Sequence, residues 1–399
     1  MSLAGIAEPL FVCPEPGRNQ RAMEVISRVG LFCDVVGRPY DEVAGLLAAY
    51  APDGIVTYSE FQLEWTAHVA AGLGLPFHDP RVVRDLTRKH DQRMILNAAG
   101  VSSTRTFLVN DMGSARAAAA GVTFPCVLKP NVGAGARDTY LIEDAGELLD
   151  VAAGLLARPA RGDAEAYVVE ERMTGCSVGW PWGDYVSVES IVSSGAVTHL
   201  GITGKFALAP PYRERGGYLP ARLDGWDPAA IEDVAGRAIA ALGVRTGICH
   251  TELKMSPDGP AVIEMNGRLG GNIYDLFLRG RGLNLVAVGA RIALGEDVDV
   301  PAPPSGGVVF HYYGTSPMRV SQVTRVDGVA EARALPGVTR LTMQAEPGAV
   351  ADWRHGVRGK MYACCGQVDT HEELARLIDQ VERTVDIGYA PEPVSAVPG

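Results

Sequence analysis

The stretch GICHTELKMSPDGPAVIEMNGRLGGN, residues Gly247–Asn272, contains two runs of alternating apolar and polar residues around a Pro-Asp-Gly sequence. Alternation with a period of two is typical of half-buried strands, and proline followed by aspartate and glycine favours a turn. The pattern therefore predicts an antiparallel hairpin. A loop of about five residues, which is a common hairpin class, would place Glu252 opposite Glu264.

Two facing carboxylates predict a bound cation. Like charges directly opposite each other in a sheet repel, and a divalent ion between them removes the repulsion. Asn266 lies two residues after Glu264 and shares its face, whereas Ile263 and Met265 are predicted to enter the core. Carboxylate and amide oxygens suit Mg²⁺, with Mn²⁺ as the alternative, better than they suit zinc.

The residues that follow favour this interpretation over a hairpin face whose charges point into water. Arg268 offers a planar fork of anion donors. Gly270 and Gly271 come next and would let the backbone approach a ligand. His250 shares the predicted face of Glu252, and a structural role is expected for it.

The composition indicates a globular protein of two or three packed units, with 399 residues of which 47% are apolar. A formal charge of −11 argues against an extended surface for nucleic acid or an anionic membrane. No apolar run approaches the roughly 20 residues of a membrane span, and no secretory leader is recognised. The seven cysteines, an odd number, argue against a disulfide framework, so a cytoplasmic location is expected.

Three segments are predicted along the chain. Residues 1–85 alternate strands and helices, with strands at Leu10–Cys13 and Gly54–Tyr58, which favours an open α/β sheet. This segment lacks the glycine fingerprint of dinucleotide-binding folds, which argues against a NAD-dependent enzyme. Residues 86–300 form a central unit, divided into a first part at 86–190 and a metal-binding part at 191–300. Residues 301–399 form a small α+β unit after a linker at 301–304.

Two lysines are candidates for holding an anion. Lys129 ends the apolar strand FPCVLKP, and a buried lysine loses hydration unless it meets a negative charge. The loop NVGAGAR follows, and its Gly133 and Gly135 would let backbone N–H groups cover phosphates. Lys89, earlier in the chain and in a helical segment that ends at Gly100, is the other candidate. For each lysine the alternative is a side chain that emerges into solvent.

A hinge is predicted at Glu170-Glu171-Arg172-Met173, directly after another apolar strand. Its backbone could read the edge of an adenine while Met173 packs against the ring. An ordinary strand end is the alternative.

Three features follow one another along the chain: the lysines with the glycine-rich loop, the hinge, and the hairpin with one Glu followed by Glu-x-Asn-x-Arg-x-Gly-Gly. In this order they resemble the ATP-grasp superfamily, specifically its carboxylate–amine ligases. The similarity runs from about Gly54, through PDGIVTYSE, GLPFHDP and RKHDQRMILNAAGV, to about Leu294. The tail segments VDGVAEARALPGVTRLTMQAEPGAV and CGQVDTHEELARLID are similar to the C-terminal domain of L-amino acid ligases, which make dipeptides.

The resemblance implies an α/β and α+β fold with ATP between two subdomains. Its phosphates would be held by Lys89 and Lys129 under the loop of Gly133 and Gly135. Its adenine would meet the hinge residues Glu170, Glu171 and Met173. The magnesium ligands would be Glu252, Glu264 and Asn266. Arg268 would bind the transferring phosphoryl group or the substrate carboxylate, and the remaining substrate contacts are predicted at Arg213, Arg215, Gly270 and Gly271.

Two departures from the family pattern affect recognition. Where the family has a ribose-binding glutamate in a Gly-x-Glu context, this chain has Gly175-Cys176-Ser177, so Asp184 is predicted to contact the sugar. In YRERGGYLP, Gly217 stands where the family often has histidine, which leaves acceptor recognition open. A solvated loop is the alternative for the arginines of this segment.

The resemblance implies that ATP activates a carboxylate as an acyl phosphate. The expected carboxylate is that of an amino acid. An amine would capture the acyl phosphate to form an amide with release of ADP and phosphate. The alternatives are capture by a thiol or carrier protein, and a non-catalytic ATP-binding module. The tail disfavours a biotin-carboxylase-like or purine-pathway member. Small-molecule substrates and a homodimer are expected, since related ligases are often dimers.

Overall fold

A computed structural model describes residues 3–14, 20–158, 166–176, 178–301 and 306–391. Ser177 and residues 302–304 of the predicted linker lie outside these described residues. Within them, the strands in chain order are β1 (Leu10–Cys13), β2 (Leu31–Asp34), β3 (Thr106–Val109), β4 (Cys126–Pro130), β5 (Tyr140–Ile142), β6 (Tyr167–Glu171), β7 (Trp182–Ser193), β8 (Ala196–Phe206), β9 (Gly216–Leu219), β10 (Gly247–Ser256), β11 (Gly259–Asn266), β12 (Val308–Thr315), β13 (Ser321–Asp327), β14 (Val338–Met343), β15 (Val350–Ala351), β16 (Lys360–Val368) and β17 (Asp386–Tyr389).

The helices alternate with these strands, and two short 3₁₀ segments occur at Glu60–Gln62 and Trp353–Gly359. The α-helices are α1 (Gln20–Val29), α2 (Tyr40–Ala48), α3 (Leu63–Leu73), α4 (Pro80–Thr87), α5 (Lys89–Ala98), α6 (Met112–Gly121), α7 (Ala145–Leu156), α8 (Pro228–Ala241), α9 (Ile273–Arg281), α10 (Leu285–Ala293), α11 (Val329–Arg333) and α12 (His371–Thr384).

Two sheets carry most of the predicted site. The larger has eight strands in the order β11-β10-β7-β8-β9-β12-β16-β14, and the smaller has four in the order β3-β6-β4-β5. Strand β6 ends at the predicted hinge, and the chain crosses from there to β7 of the larger sheet. The change from one sheet to the other therefore falls between β6 and β7, whereas the boundary predicted between residues 190 and 191 lies inside β7.

The larger sheet continues across the predicted boundary between residues 300 and 301. Strand β12 pairs with β9 on one side and with β16 on the other. Strands of the C-terminal segment thus extend the sheet that contains the hairpin of β10 and β11, with its predicted metal ligands, which is named the metal hairpin. This continuity brings C-terminal side chains close to the site.

Helix α8 covers one face of the larger sheet, and α9 and α10 cover only part of the other face, which also carries the charged residues of β10. Asp227 caps the helix by accepting from the Ala229 N–H, and proline follows it at the first helical position. Ile231 and Ile239 of α8 are fully buried in one cluster with Leu253 of β10. Because strand side chains alternate, Glu252 and Lys254 lie on the opposite face.

The N-terminal segment differs from its prediction in one strand. Strands β1 and β2 pair in parallel, but Gly54–Tyr58 forms no strand in the structure. It packs against α10 instead, because a Cβ added at Gly54 would lie 2.7 Å from the Ala293 carbonyl oxygen. The Tyr58 hydroxyl also donates to the Val286 carbonyl at 3.1 Å. The predicted strand is therefore an extended segment that leads to Glu60.

Candidate active site

The hairpin of β10 and β11 pairs Glu252 with Glu264, as predicted. The loop is shorter than expected, because Ser256 already pairs with Gly259. With that two-residue turn alone, Glu252 would face Ile263. A bulge between Glu252 and Leu253 shifts the register by one residue and brings the carboxylates opposite each other.

The same bulge corrects the predicted core. Val262 and Met265 are fully buried, whereas Ile263 is only half-buried. Ile263 is the extra residue of the bulge, so the apolar face of β11 changes phase at this position. The prediction that Ile263 enters the core was wrong for this reason.

Glu252 lies in a buried network of charges. His250 donates to Glu189 at 2.8 Å and lies 3.3 Å from Glu252 through its other ring nitrogen. Lys205, which is 6% exposed, approaches Glu252 at 3.7 Å. The carboxyl of Glu214 also hydrogen-bonds Glu252.

This network determines the charges around Glu252. Burial would lower the pKa of His250, but Glu189 and Glu252 raise it to about 9, so the ring is an imidazolium at neutral pH. Although burial opposes it, the hydrogen bond from His250 and the charge of Lys205 hold the pKa of Glu252 well below its ordinary value. Burial and the neighbouring Glu252 raise the pKa of Glu214. Glu252 is thus kept as a carboxylate.

Glu264 is approached by the first predicted lysine. Lys89 opens α5, and its ammonium lies 3.0 Å from Glu264 and donates to the Gly133 carbonyl at 2.7 Å. One side chain therefore joins the hairpin to the glycine-rich loop. Lys89 and Glu264 both remain partly exposed, with 12% and 20% of their side chains accessible.

The donor set fits a magnesium ion that is shared with a phosphate. Within the described residues, no group of three or more His, Cys, Asp and Glu side chains is arranged to hold a metal. Glu252, Glu264 and the amide oxygen of Asn266 are oxygen donors on neighbouring positions of the hairpin. Mg²⁺ is usually bound by one or two carboxylates together with waters and substrate phosphates, which matches this incomplete set.

The second predicted lysine meets a protein carboxylate. Lys129 lies 2.7 Å from Glu170, and Arg93 of α5 donates to the same carboxylate at 2.8 Å. Burial would raise the pKa of Glu170, but Arg93 and Lys129 lower it to about 2. The predicted hinge glutamate is therefore a buried anion that orients Lys129.

Arg93 also joins the two sheets. Its remaining guanidinium nitrogens donate to the carbonyls of Val262 and Ile263, both at 2.6 Å. The neighbouring Gln92 donates to Met265 and accepts from its N–H. Sequence reasoning singled out only Lys89 of this helix.

The glycine-rich loop is held by the C-terminal segment. The Val357 N–H donates to the Gly135 carbonyl at 2.9 Å, and the Asp138 N–H donates to the Arg354 carbonyl at 3.0 Å. The Trp353 ring meets that of Tyr140 edge-on, with centroids 5.6 Å apart. The 3₁₀ segment Trp353–Gly359, named the latch, therefore contacts the glycine-rich loop from the C-terminal segment.

The hinge region runs from β6 to a contact with β10. The Cys176 N–H donates to the Met255 carbonyl at 2.7 Å. Glu171 pairs with Arg105, and Met173 is half-buried. Asp184, the predicted sugar contact, lies 2.7 Å from the Lys254 ammonium. It therefore adjoins the hinge with one oxygen paired.

Arg268 is held by a residue of the N-terminal segment. Its guanidinium donates to Glu60 at 2.6 Å and to the Asn266 amide oxygen at 3.2 Å. Burial raises the pKa of Glu60, Arg268 opposes this rise, and Glu264 reinforces it. Glu60, which sequence reasoning did not assign to the site, thus lies beside the metal hairpin.

The predicted substrate arginines have protein partners. Arg213 is 4% exposed and donates to the Pro210 carbonyl and to the carbonyl and hydroxyl of Ser316. Arg215 donates to the Tyr312 hydroxyl at 2.8 Å and pairs with Glu382. These contacts favour a role in holding the segment before β9 to the C-terminal strands.

The predicted glycine pair has two different environments. A Cβ added at Gly270 would lie 2.4 Å from His250 Nδ1, so this position must stay small to accommodate the buried ring. Gly271 has open space around it. The segment after Arg268 therefore packs directly over the charge network of Glu252.

Residues 122–275 match the sequence family described as the ATP-grasp domain. This segment is therefore an ATP-grasp domain, as the resemblance implied, and the predicted fold class is confirmed. None of the helices in the described part of the chain has the length and apolar character that a membrane span requires.

Known proteins resemble the chain in fold and, over part of its length, in sequence. Its fold is that of the L-amino acid ligase from Bacillus licheniformis, with a TM-score of 0.75 and 21% identity over 96% of this chain and 98% of that one. Carnosine synthase 1 of Gallus gallus is 29% identical over 272 residues, which are 64% of this chain and 28% of that protein. Alanine–anticapsin ligase of Bacillus subtilis is 25% identical over 279 residues, which are 65% of this chain and 58% of that protein. The alignments thus span less than two thirds of either relative.

Proposed function

We propose that this protein is an ATP-dependent carboxylate–amine ligase that forms an amide bond. The observation that carries the proposal is the convergence of Lys89 and Arg268 on the hairpin where Glu252 faces Glu264. Lys89 comes from α5 and Arg268 follows β11, and both contact the metal-ligand set directly. Such a cluster suits the transfer of a phosphoryl group between two anions.

The reaction begins with the activation of a carboxylate, whose oxygen is a poor leaving group. The substrate carboxylate attacks the γ-phosphorus of ATP, the bond to the β-γ bridging oxygen breaks, and acyl phosphate and ADP result. An amine then attacks the acyl carbon, phosphate leaves with its electron pair, and the amine nitrogen loses a proton. The products are an amide, ADP and phosphate.

The protein contributes positioning and charge in this mechanism. Lys89, Lys129 and the loop around Gly133 and Gly135 bind the phosphates. The hinge from Glu171 to Met173 binds the adenine, and Asp184 contacts the sugar. A magnesium ion held by Glu252, Glu264 and Asn266 would neutralise phosphate charge when bound.

Arg268 is placed to bind the transferring phosphoryl group or the carboxylate that receives it. Glu60 orients its guanidinium from the N-terminal segment by accepting from Nε, while Nη2 donates to Asn266 of the hairpin and Nη1 to the Leu269 carbonyl. The glycines at 270 and 271 leave room beside it for a substrate.

We further propose that the activated substrate is an amino acid. Alanine–anticapsin ligase and L-amino acid ligase are named for amino acid substrates, and both resemble this chain. Small-molecule substrates fit this class of reaction. The predicted homodimer, the cytoplasmic location and the use of Mn²⁺ stay predictions.

The proposal is tested by measuring ADP release over all pairs of amino acids, with and without hydroxylamine. Hydroxylamine captures an acyl phosphate as a hydroxamate, which identifies the activated substrate without the natural acceptor. Amide formation together with hydroxamate would support the proposal. ADP release only with a thiol or carrier protein would favour thioester formation, and ATP binding without ADP release would favour a binding module.

A further inference from the structure

Lys360, the first residue of β16, is a positively charged side chain that lies beside an aromatic ring. It is half-buried, and its ammonium lies 5.1 Å from the centroid of the Tyr313 ring. Among the described residues, no carboxylate forms an ion pair with it. Burial lowers the pKa of Lys360. A half-buried ammonium without a negative partner loses hydration that a bound anion would replace.

The residues just before Lys360 show that it lies at the site. Lys360 directly follows the latch, whose Val357 is bonded to Gly135 of the glycine-rich loop. The guanidinium carbon of Arg358 lies 5.7 Å from the Phe61 ring, and Phe61 is the neighbour of Glu60, which holds Arg268. The chain leading into Lys360 therefore contacts both the predicted phosphate loop and the residue next to Glu60, the partner of Arg268.

Tyr313 connects Lys360 to the segment that follows Arg268. Asn272 donates its side-chain amide to the Tyr313 hydroxyl. Asn272 comes directly after Gly271, and its left-handed backbone, with a φ of 60°, ends that segment. Burial raises the pKa of Tyr313, and the charge of nearby Glu214 adds to this rise. Tyr313 thus lies between Lys360 and the carboxyl groups beside the metal hairpin.

The other cations around the site have protein carboxylate partners. Lys89 meets Glu264, Lys129 meets Glu170, Lys205 meets Glu252, and Arg268 meets Glu60. Lys360 differs from them because its ammonium contacts an aromatic ring, that of Tyr313. An anionic group that enters the site from the side of the C-terminal strands would find this ammonium unpaired.

We propose that Lys360 binds a carboxylate of the amine substrate, so that the acceptor is an amine that also carries an acidic group. This inference rests on the proposed ligase function and assigns the second substrate to the wall formed by β12 and β16. A carboxylate and the phosphoryl group of the acyl phosphate are both anionic oxygen groups. The carboxylate is favoured because Lys89, Lys129 and the glycine-rich loop already serve the phosphates.

The test compares acceptors that differ only in this charge, an amino acid and its carboxamide. The wild type is expected to prefer the acid, and Lys360→Met is expected to lower the acid-over-amide ratio of kcat/KM by roughly 10- to 100-fold, since a charge-assisted hydrogen bond is lost. The loss should appear in the KM of the acid acceptor. Lys360→Arg should retain part of the preference. Arg340→Gln, an exposed cation on β14, is the matched control.

Hydroxamate formation shows whether Lys360 binds the acceptor carboxylate or the phosphoryl group. It also separates a failure of this inference from a failure of the proposed ligase function. If Lys360→Met lowers hydroxamate yield as strongly as it lowers coupling to the acid, Lys360 serves the phosphoryl group and the acceptor assignment is overturned. An unchanged acid-over-amide ratio would also overturn it. If the wild type yields no hydroxamate and no amide with any substrate, the proposed function itself fails and the inference fails with it. Turnover of the carboxamide by Lys360→Met shows that the variant is folded.

Discussion

The two facing glutamates differ in how the protein holds them. Glu252 is surrounded by His250, Lys205 and Glu214, which keep it ionised and fixed. Glu264 has Lys89 as its charged partner, although the two side chains are almost equally accessible, at 20% for Glu264 and 17% for Glu252. Replacing Glu252 would therefore disturb a buried network. Glu264 is the better position for testing metal binding without disturbing the fold.

We expect Glu264→Gln to lower ATP-dependent turnover on the order of 10²- to 10³-fold, the usual effect of removing one electrostatic contact to a transition state. The variant should fold, because the amide keeps the size of the side chain and the position is partly exposed. ADP release as a function of Mg²⁺ concentration is the measurement. Asp258→Asn, in the turn of the same hairpin, is the control. Wild-type turnover with an unchanged magnesium dependence would contradict the metal assignment.

Between elements, the main unexpected contact is that of the latch with the glycine-rich loop. Gly356 has a φ of 57°, and a Cβ added there would lie 2.0 Å from the Gly135 carbonyl oxygen. The close approach lets Val357 hydrogen-bond the loop. Because Lys89 holds the same loop through Gly133, the loop is fixed from both sides. Loops that cover phosphates work by placing backbone N–H groups, so their position affects nucleotide affinity.

Gly356→Ala is expected to separate the latch from the loop and to raise the KM for ATP about tenfold, which corresponds to about 1.4 kcal/mol of binding free energy. Steady-state kinetics with varied ATP is the measurement. Gly225→Ala provides the control, because Gly225 also has a positive φ, of 78°, but no atom lies within 4 Å of its added Cβ. Equal KM values in the two variants would show that the latch does not support the loop.

At the scale of the whole molecule, α5 connects the two sheets that the proposed function places on either side of ATP. Its Arg93 bonds the hinge strand through Glu170 and the metal hairpin through the Val262 and Ile263 carbonyls. Its Lys89 contacts both the loop and Glu264. The two sheets are therefore joined by buried charges beside the site.

We expect Arg93→Met to lower the free energy of unfolding by about 3–5 kcal/mol, because it leaves the buried Glu170 and two carbonyls without their donor. Urea unfolding at pH 7 measures this change. Arg237→Met is the comparison, since Arg237 forms an exposed pair with Asp233 on α8 and such pairs contribute little. Similar losses in both variants would contradict the bridging role.

Glu170 also predicts a dependence of stability on pH. Its pKa is lowered from 4.5 to about 2 in the folded protein. A lowered pKa stabilises the folded state above the unfolded value, and this contribution of about 3 kcal/mol is lost as pH falls through about 2. Urea midpoints of the wild type should therefore fall more steeply between pH 4.5 and 2 than those of Glu170→Gln. Parallel curves would contradict the assignment.

Much of the fold could be predicted from local patterns. The hairpin and the apolar strand before the hinge, Tyr167–Glu171, follow from alternation and turn chemistry, and the structure contains both of them. Gly54–Tyr58 shows where such patterns fail, because its apolar residues meet α10 rather than a neighbouring strand. The pairing of Glu252 with Glu264 was predicted from the wrong loop length, and the bulge at Ile263 produces it.

The candidate site also contains residues that the sequence identifies and residues that only the structure identifies. Lys129, Glu252, Glu264, Asn266 and Arg268 stand out in the sequence, because each lies beside a periodic run or a glycine-rich loop, whereas Lys89 is identified through the family resemblance. Glu60, Arg93, Glu189 and Lys360 do not, since their importance depends on partners 61 to 208 positions away or on the absence of an ion pair among the described residues. Periodicity and turn chemistry act between neighbours in the chain and can be read from it. The placement of one charge beside another across two sheets depends on packing, and only the folded molecule shows which charges are paired.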